Sequence, residues 1–86
     1  MIYEVRLSKS ADRELDSLGY AMKRRIISKL EELGEDPFPR GVVKLQGREG
    51  VCRVRVGDYR ILYEVFTSDG LLLVEKIDHR SRVYGP

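Results

Sequence analysis

Three arginines lie close together near the middle of the chain, at Arg53, Arg55 and Arg60. They belong to residues 40–60, where six basic residues outnumber two acidic ones and give a net charge of +4. An arginine side chain presents a planar fork of donors that binds phosphate through paired hydrogen bonds and stays charged when partly desolvated. The segment therefore favours a phosphate-rich partner. A solvated, salt-bridged surface is the alternative that composition alone leaves open.

Metal and thiol chemistry have little support in the sequence. The single cysteine, Cys52, excludes an internal disulfide, and with the single histidine, His79, it cannot supply the four side-chain ligands of a structural zinc site. Aspartate and glutamate could bind a metal ion, but no spacing suggests it. We expect neither a metal nor a small-molecule cofactor.

The length of 86 residues, with 42% hydrophobic and 35% charged residues, indicates one compact domain over residues 1–86. No apolar run approaches the roughly 20 residues that a membrane span needs. The first residues also do not form a basic and then apolar leader. We therefore expect a cytoplasmic protein that does not bind a membrane.

The hydrophobic pattern predicts an α+β fold with the order β-α-α-β-β-β-β. The predicted elements are a strand over 2–7, a short helix, a helix over 20–33, and strands over 42–45, 51–56, 59–66 and 71–79. Ser8 or Ser10 can cap the first helix, Gly19 ends it, and Gly34 ends the second. The basic run 23–25 is interpreted as a solvated face of the second helix. We expect the helical hairpin to pack on one face of an antiparallel sheet.

The sequence between the two clearest strands fixes where the arginines lie. If Gly57 and Asp58 form a two-residue turn, Arg55 lies opposite Arg60, and Arg53 lies on the same face, away from the core.

Two arginines directly opposite each other destabilise an antiparallel pair unless a negative group lies nearby. Glu64 on that face, and Glu75 or Asp78 on the next strand, could supply it within a purely structural cluster. A bound anion is the other possibility. Because alanine would relieve the repulsion, we expect substitution of any of the three arginines to leave the domain folded.

The hairpin VCRVRVGDYRILYEV over 51–65 and the ending DHRSRVY over 78–84 resemble the RelE/ParE superfamily of bacterial and archaeal toxins. The resemblance extends over almost the whole chain and includes the order of the elements. Its specific part is the basic-x-basic pair Arg53 and Arg55 followed by Gly-x-Tyr-Arg at 57–60. It implies a toxin that a cognate RelB-like antitoxin neutralises. In the RelE branch it further implies an endoribonuclease that cuts mRNA in the ribosomal A site.

The resemblance also implies roles for individual side chains. The catalytic candidates are Arg53, Arg55, Arg60, Arg80 and Tyr84, and the RNA-binding candidates are Lys44, Arg48, His79 and Arg82. Many relatives carry lysine at the positions of Arg53 and Arg55, so the general base is unassigned here. Tyr84 is the candidate for stacking and proton transfer. His79 could act as an acid or base near neutral pH, although a structural role is the alternative.

Two other functions remain open from the sequence. The first is a ParE-like toxin that binds DNA gyrase and cleaves nothing, although such chains usually lack basic residues combined with a C-terminal tyrosine. The second is a nucleic-acid-binding module that has lost toxicity. For the antitoxin, we expect acidic groups to approach the arginines and an apolar segment to dock near Leu15, Leu18, Met22 and Ile26.

Overall fold

The computed structural model describes residues 2–79, which form one five-stranded sheet and two helices. The elements are β1 (Glu4–Leu7), α1 (Lys9–Ser17), α2 (Tyr20–Glu35), β2 (Val43–Lys44), β3 (Val51–Val56), β4 (Tyr59–Phe66), a 3₁₀ turn (Thr67–Asp69) and β5 (Leu71–His79). The strand order is β1-β5-β4-β3-β2. The predicted α+β class and element order are confirmed, with one difference: β1 pairs with β5 in parallel, so the sheet is not wholly antiparallel. Within residues 2–79 no helix is long and apolar enough to cross a membrane.

The helices begin where the sequence predicts, but α2 continues further. Ser8 is the N-cap of α1, and its Oγ accepts a hydrogen bond from the backbone N–H of Ala11 at 3.0 Å. Gly34, predicted to end α2, lies inside the helix and is buried. Its carbonyl accepts from the backbone N–H of Tyr3 at 2.7 Å, and a Cβ at this position would come within 3.2 Å of Val5. This glycine therefore allows close packing of α2 on β1 and does not stop the helix.

The core lies between the helical hairpin and one face of the sheet. Its buried side chains are Ala11, Leu15, Ile26, Leu30, Leu33, Cys52, Val54, Val56, Ile61, Tyr63, Val65, Leu72, Val74 and Ile77. The members on β3 and β4 alternate along each strand, which leaves Arg53, Arg55 and Arg60 on the opposite face. The fold thus holds the three arginines on a sheet surface that the helices do not cover.

A β-bulge in β5 shifts the faces of that strand. Leu62 pairs with Lys76 and Tyr63 pairs with Val74, so Glu75 has no directly opposite residue. Consequently Val74 and Ile77, three positions apart, both point into the core. The bulge also places Glu75 on the face that carries the arginines.

Tyr63 joins the sheet to the loop after α2. Its side chain is fully buried, and its hydroxyl donates to the carbonyl of Pro37 at 2.6 Å. The pKa of the Tyr63 phenol is raised above its usual value. Burial is the largest cause of this rise, and the interaction with Cys52 is the next largest. The neutral phenol is therefore the form that the fold stabilises.

We expect Tyr63→Phe to lower the free energy of unfolding by about 1–2 kcal/mol at pH 7, because it leaves a buried carbonyl without its donor. A raised folded-state pKa gives stability that is present below about pH 10 and is lost as the pH rises further. The difference between wild type and Tyr63→Phe in urea denaturation should therefore shrink above that pH. A difference that grew there would contradict this role for the phenol.

Candidate nucleic-acid interface

The β3–β4 hairpin holds the three arginines in the predicted register. Arg55 lies directly opposite Arg60, and Arg53 lies opposite Leu62, two residues further along the same face. Gly57 has a φ of 59°, a conformation that suits the first central position of a two-residue hairpin turn. Directly opposite residues have Cα atoms roughly 5 Å apart. Arg55 and Arg60 are therefore direct cross-strand neighbours on one face of the sheet.

The three arginines differ in their exposure, and this bears on what each substitution should cost. Arg55 is exposed and Arg53 is half-buried, but Arg60 is only 5% exposed and is the one buried charged residue in the described part of the chain. Asp78 of β5 lies opposite Arg60 on its other side. Because the Arg60 side chain is packed within the structure, its replacement should cost stability, and the expectation that the variant stays folded remains a prediction.

We expect Arg60→Ala to lower the free energy of unfolding by about 2–3 kcal/mol, since it removes a long buried side chain. Arg60→Met keeps most of the apolar volume and should cost less. Arg55→Ala, at an exposed position, should stay within about 0.5 kcal/mol of wild type in the same urea titration. Equal stability of Arg60→Ala and Arg55→Ala would contradict the burial of Arg60.

Arg48 is held by two carboxylates on the arginine side of the sheet. Its two terminal nitrogens lie 3.4 and 3.2 Å from the oxygens of Glu75, and Nη2 lies 3.8 Å from Glu64. The pKa of Glu64 is raised, first because its carboxyl shares a hydrogen bond with Glu75, then through desolvation and the charge of Glu75, while Arg48 opposes the shift. Glu64 and Glu75, which the sequence offers as partners of the central arginines, form ion pairs with Arg48. Asp78 is paired with Arg60 in the sheet register, and its Oδ2 lies 3.9 Å from Nζ of Lys76.

Two of the RNA-binding candidates lie on the other face of the sheet. Lys44 is opposite Cys52, a core residue, and its Nζ lies 5.1 Å above the ring of Phe38. His79 is opposite Tyr59, and their rings meet edge to face with centroids 5.2 Å apart. The structure therefore groups Arg53, Arg55 and Arg60, places Arg48 further along their face, and does not bring Lys44 or His79 to them. RNA binding by these two residues stays a prediction.

The remaining candidates, Arg80, Arg82 and Tyr84, lie outside the described residues. Their roles stay predictions from the resemblance. Within residues 2–79, no three His, Cys, Asp or Glu side chains are grouped so that they could hold a metal ion. The chemistry that the described face offers is the binding of a phosphate and the stabilisation of negative charge on it.

Sequence reasoning missed one basic residue next to the hairpin. Arg25, interpreted as part of a solvated helix face, lies against the turn, with Nη1 at 3.2 Å from the position that a Cβ on Gly57 would occupy. The helical period predicts which face of α2 carries Arg25. It does not predict which strand or turn packs against that face. A glycine in a turn indicates that another group can pack closely on the backbone there. The sequence does not identify Arg25 as the group that packs on Gly57.

Comparisons with known proteins identify the family. The family model described as the ParE toxin of the type II toxin–antitoxin system parDE matches residues 5–84. A chain of the archaeal RelE–RelB complex from Pyrococcus horikoshii is 34% identical, with a TM-score of 0.84 over 95% of this chain and 99% of that chain. A chain of the Mycobacterium tuberculosis RelBE2 toxin–antitoxin complex is 27% identical, with a TM-score of 0.80 over 94% of both chains. The isolated RelE toxin of Escherichia coli is 26% identical, with a TM-score of 0.81 over 95% of this chain and 90% of that one. The chain therefore belongs to the RelE/ParE superfamily and is a RelE-like toxin of a type II toxin–antitoxin system.

Proposed function

We propose that this toxin is an endoribonuclease that cuts mRNA in the ribosomal A site, using the 2′-OH of the RNA as its nucleophile. The observation that carries the proposal is the grouping of Arg53, Arg55 and Arg60 on the face of the sheet opposite α1 and α2, with Arg60 packed within that face. A strand pair with two arginines opposite each other favours an anion between them. The similarity to RelE toxins supports RNA as the source of that anion.

The proposed reaction needs no group from outside the RNA and the protein. The 2′-oxygen bonds to the adjacent phosphorus while the bond from phosphorus to the 5′-oxygen breaks. One proton leaves the 2′-OH and one reaches the departing 5′-oxygen, so the products are a 2′,3′-cyclic phosphate and a 5′-hydroxyl. The protein must align these atoms and stabilise the extra negative charge on the phosphate oxygens.

The described arginines suit the electrostatic part of this task. Arg60 is fixed by burial, so its charge requires little reorganisation when substrate binds. Arg55 is exposed and Arg53 half-buried, so both can contact the phosphate from the open side. Guanidinium groups cannot easily accept the nucleophile's proton, because their pKa lies above about 12. We assign Tyr84 to base stacking and proton transfer, as the family resemblance implies.

The chemistry of the product ends tests this mechanism. Purified toxin is incubated with ribosomes carrying a defined mRNA, and the downstream fragments are treated with polynucleotide kinase and labelled ATP. Transfer of label without prior phosphatase treatment is expected, because 2′-OH attack leaves a 5′-hydroxyl. Fragments that accept label only after phosphatase treatment would carry 5′-phosphates and would contradict the mechanism.

A second candidate function follows from the family model, whose description names the ParE toxin. In that case the toxin would bind DNA gyrase without cleaving nucleic acid. The grouped arginines favour the ribonuclease, because phosphoryl transfer requires charge at the reacting phosphate whereas binding a protein does not. Mapping of cellular mRNA ends separates the two candidates.

We also propose that a RelB-like antitoxin covers the arginine face. Two of the similar structures are of RelE–RelB and RelBE2 complexes. The expected apolar dock on the helices needs correction: Leu15 and Ile26 are buried at 8% and 0% exposure and belong to the core. Leu18 and Met22 are only partly buried, so they alone of the four could contact a partner.

Neutralising the arginines should weaken the antitoxin complex by at least about tenfold if acidic antitoxin groups lie against them. The variant carries Arg53→Gln, Arg55→Gln and Arg60→Met, and isothermal titration with the cognate antitoxin measures its Kd. A control for the loss of positive charge is the double variant Arg13→Gln with Arg24→Gln. Both residues are exposed and lie on the helices. Unchanged affinity of the triple variant would exclude electrostatic masking of the face.

A further inference from the structure

A basic cavity of about 370 Å³ lies between α2 and the β3–β4 turn, beside the arginine face. The residues that line it and matter here are Arg25, Ser28, Lys29, Glu32, Arg55 and Gly57. We name it the α2 groove. Its cations come from the helix and from the hairpin, so the fold and not the sequence order brings them together.

The contact with the hairpin turn fixes one wall of the groove. Gly57 has a positive φ, and a Cβ there would lie 3.1 Å from Cε of Met22 and 3.2 Å from Nη1 of Arg25. The guanidinium of Arg25 therefore lies directly against the turn. Gly57 of this turn comes two residues after Arg55 in the chain. Arg25 remains an exposed residue, so its guanidinium contacts the turn and is also accessible to a ligand.

The groove is continuous with the arginine face around an open sheet edge. Within residues 2–79, the edge strand β2 pairs only with Cys52 and Arg53 of β3, so no described strand lies on the outer side of β3 at Arg55. Arg55 lies on the arginine face by its register and also lines the groove. A polyanion bound at Arg55 can therefore pass from the sheet face to α2 without crossing another of the described elements.

The charges in the groove favour an anion. Three cations line it against one carboxylate, Glu32, whose Oε1 lies 3.2 Å from Nζ of Lys29. An exposed lysine–glutamate pair of this kind contributes at most about 1 kcal/mol, so Lys29 can turn to another anion at little cost. Ser28 adds a hydroxyl that can donate to a phosphate oxygen.

We propose that the α2 groove binds the backbone phosphates of an RNA strand that continues from the arginine face. The inference rests on the proposed ribonuclease function and adds a second phosphate site to it. Arg55 contacts the reacting phosphate, while Arg25 and Lys29 bind a neighbouring phosphate and hold the strand in place. They are positioning residues, because they do not reach the reacting atoms.

The experiment is an NMR titration of the ¹⁵N-labelled full chain with a 2′-O-methyl RNA hexamer, which cannot be cleaved. We expect shifts at the amides of Arg25, Lys29 and Gly57 together with those of Arg53 and Arg55. Arg25→Gln with Lys29→Gln should abolish the groove shifts and weaken binding about five- to tenfold. It should also reduce the slope of log Kd against log salt by about 0.7, the value for loss of one single-strand phosphate contact.

Matched variants separate this site from general charge loss. Arg13→Gln with Arg24→Gln removes the same charge at exposed positions outside the groove and should leave the groove shifts in place. Lys29→Gln alone leaves the packing of Arg25 on the turn intact and should still weaken binding, which keeps the test valid if the double variant folds poorly.

The outcomes distinguish this inference from the function on which it rests. Shifts at Arg53 and Arg55 without groove shifts would overturn the α2 groove and leave the ribonuclease proposal standing. No shifts at any of these amides with millimolar hexamer would count against both. If a hexaglutamate peptide gave the groove shifts and the RNA hexamer did not, the site would belong to an acidic protein segment and the assignment to RNA would be wrong.

Discussion

Arg55→Ala is expected to reduce mRNA cleavage by at least about 100-fold while the melting temperature stays close to that of wild type. The loss follows from removing a guanidinium placed at developing negative charge, an effect of about 10²–10³ in other enzymes. The fold should tolerate the change because Arg55 is exposed and because its removal ends the opposition to Arg60. The rate is measured in single-turnover reactions with ribosome-bound mRNA.

Arg24→Ala is the matched control. It removes an exposed arginine that does not line the α2 groove and does not belong to the β3–β4 hairpin. It should cleave within about twofold of wild type, as expected of a surface site away from the chemistry. If Arg55→Ala and Arg24→Ala had the same rate, the arginine face would not be the catalytic surface, and the gyrase-binding function would become the better hypothesis.

Tyr84→Ala is expected to reduce cleavage by about 100-fold or more, because it removes both a stacking surface and a hydroxyl. Tyr84→Phe separates the two contributions. The phenyl ring can still stack on a base, so a loss with Phe assigns the hydroxyl a chemical or orienting role. Because the substitution removes only one oxygen, the melting temperature of Tyr84→Phe should be almost unchanged.

Tyr20→Ala controls for the loss of an exposed aromatic ring, since Tyr20 is 78% exposed on α2. It should cleave like wild type. Activity kept with Phe and lost with Ala at position 84 would leave Tyr84 a stacking role alone. Full activity of both variants would remove Tyr84 from the site and leave the arginines to explain the chemistry.

The register of the hairpin could be predicted from the sequence because local rules determine it. A glycine at the first position of a two-residue turn requires Val56 to pair with Tyr59, and every further pair follows by counting. The alternation of apolar and charged residues then gives the faces, since a slip of one residue would bury Arg53 and Arg55. The grouping of the three arginines was therefore available before the structure.

The burial of Arg60 could not be predicted in the same way. Alternation states which face a side chain occupies, but exposure depends on what lies on either side of the strand. Arg55 and Arg60 share one face, yet they lie on different strands. β4 lies inside the sheet, whereas β3 at Arg55 has no described strand on its outer side. The pairing of β4 with both β3 and β5, together with the short reach of β2, accompanies this difference.

The bulge and the helix contacts escaped prediction for a related reason. Nothing in the sequence over 71–79 marks Glu75 as the bulge residue, which has no residue directly opposite it on β4. The ion pair between its side chain and Arg48 could therefore not be predicted. Gly34 looked like a stop signal because glycine commonly follows helices, whereas close approach of β1 requires it within α2. In both cases tertiary packing overrode a local preference.

Mapping mRNA 5′ ends in cells after induction of the toxin tests the ribonuclease proposal most directly. With wild-type toxin, new ends should appear at a fixed position within codons along translated regions, and Arg55→Ala should not produce them. Intact mRNA together with DNA gyrase trapped on the chromosome would contradict the ribonuclease function and assign the arginine face to binding another protein.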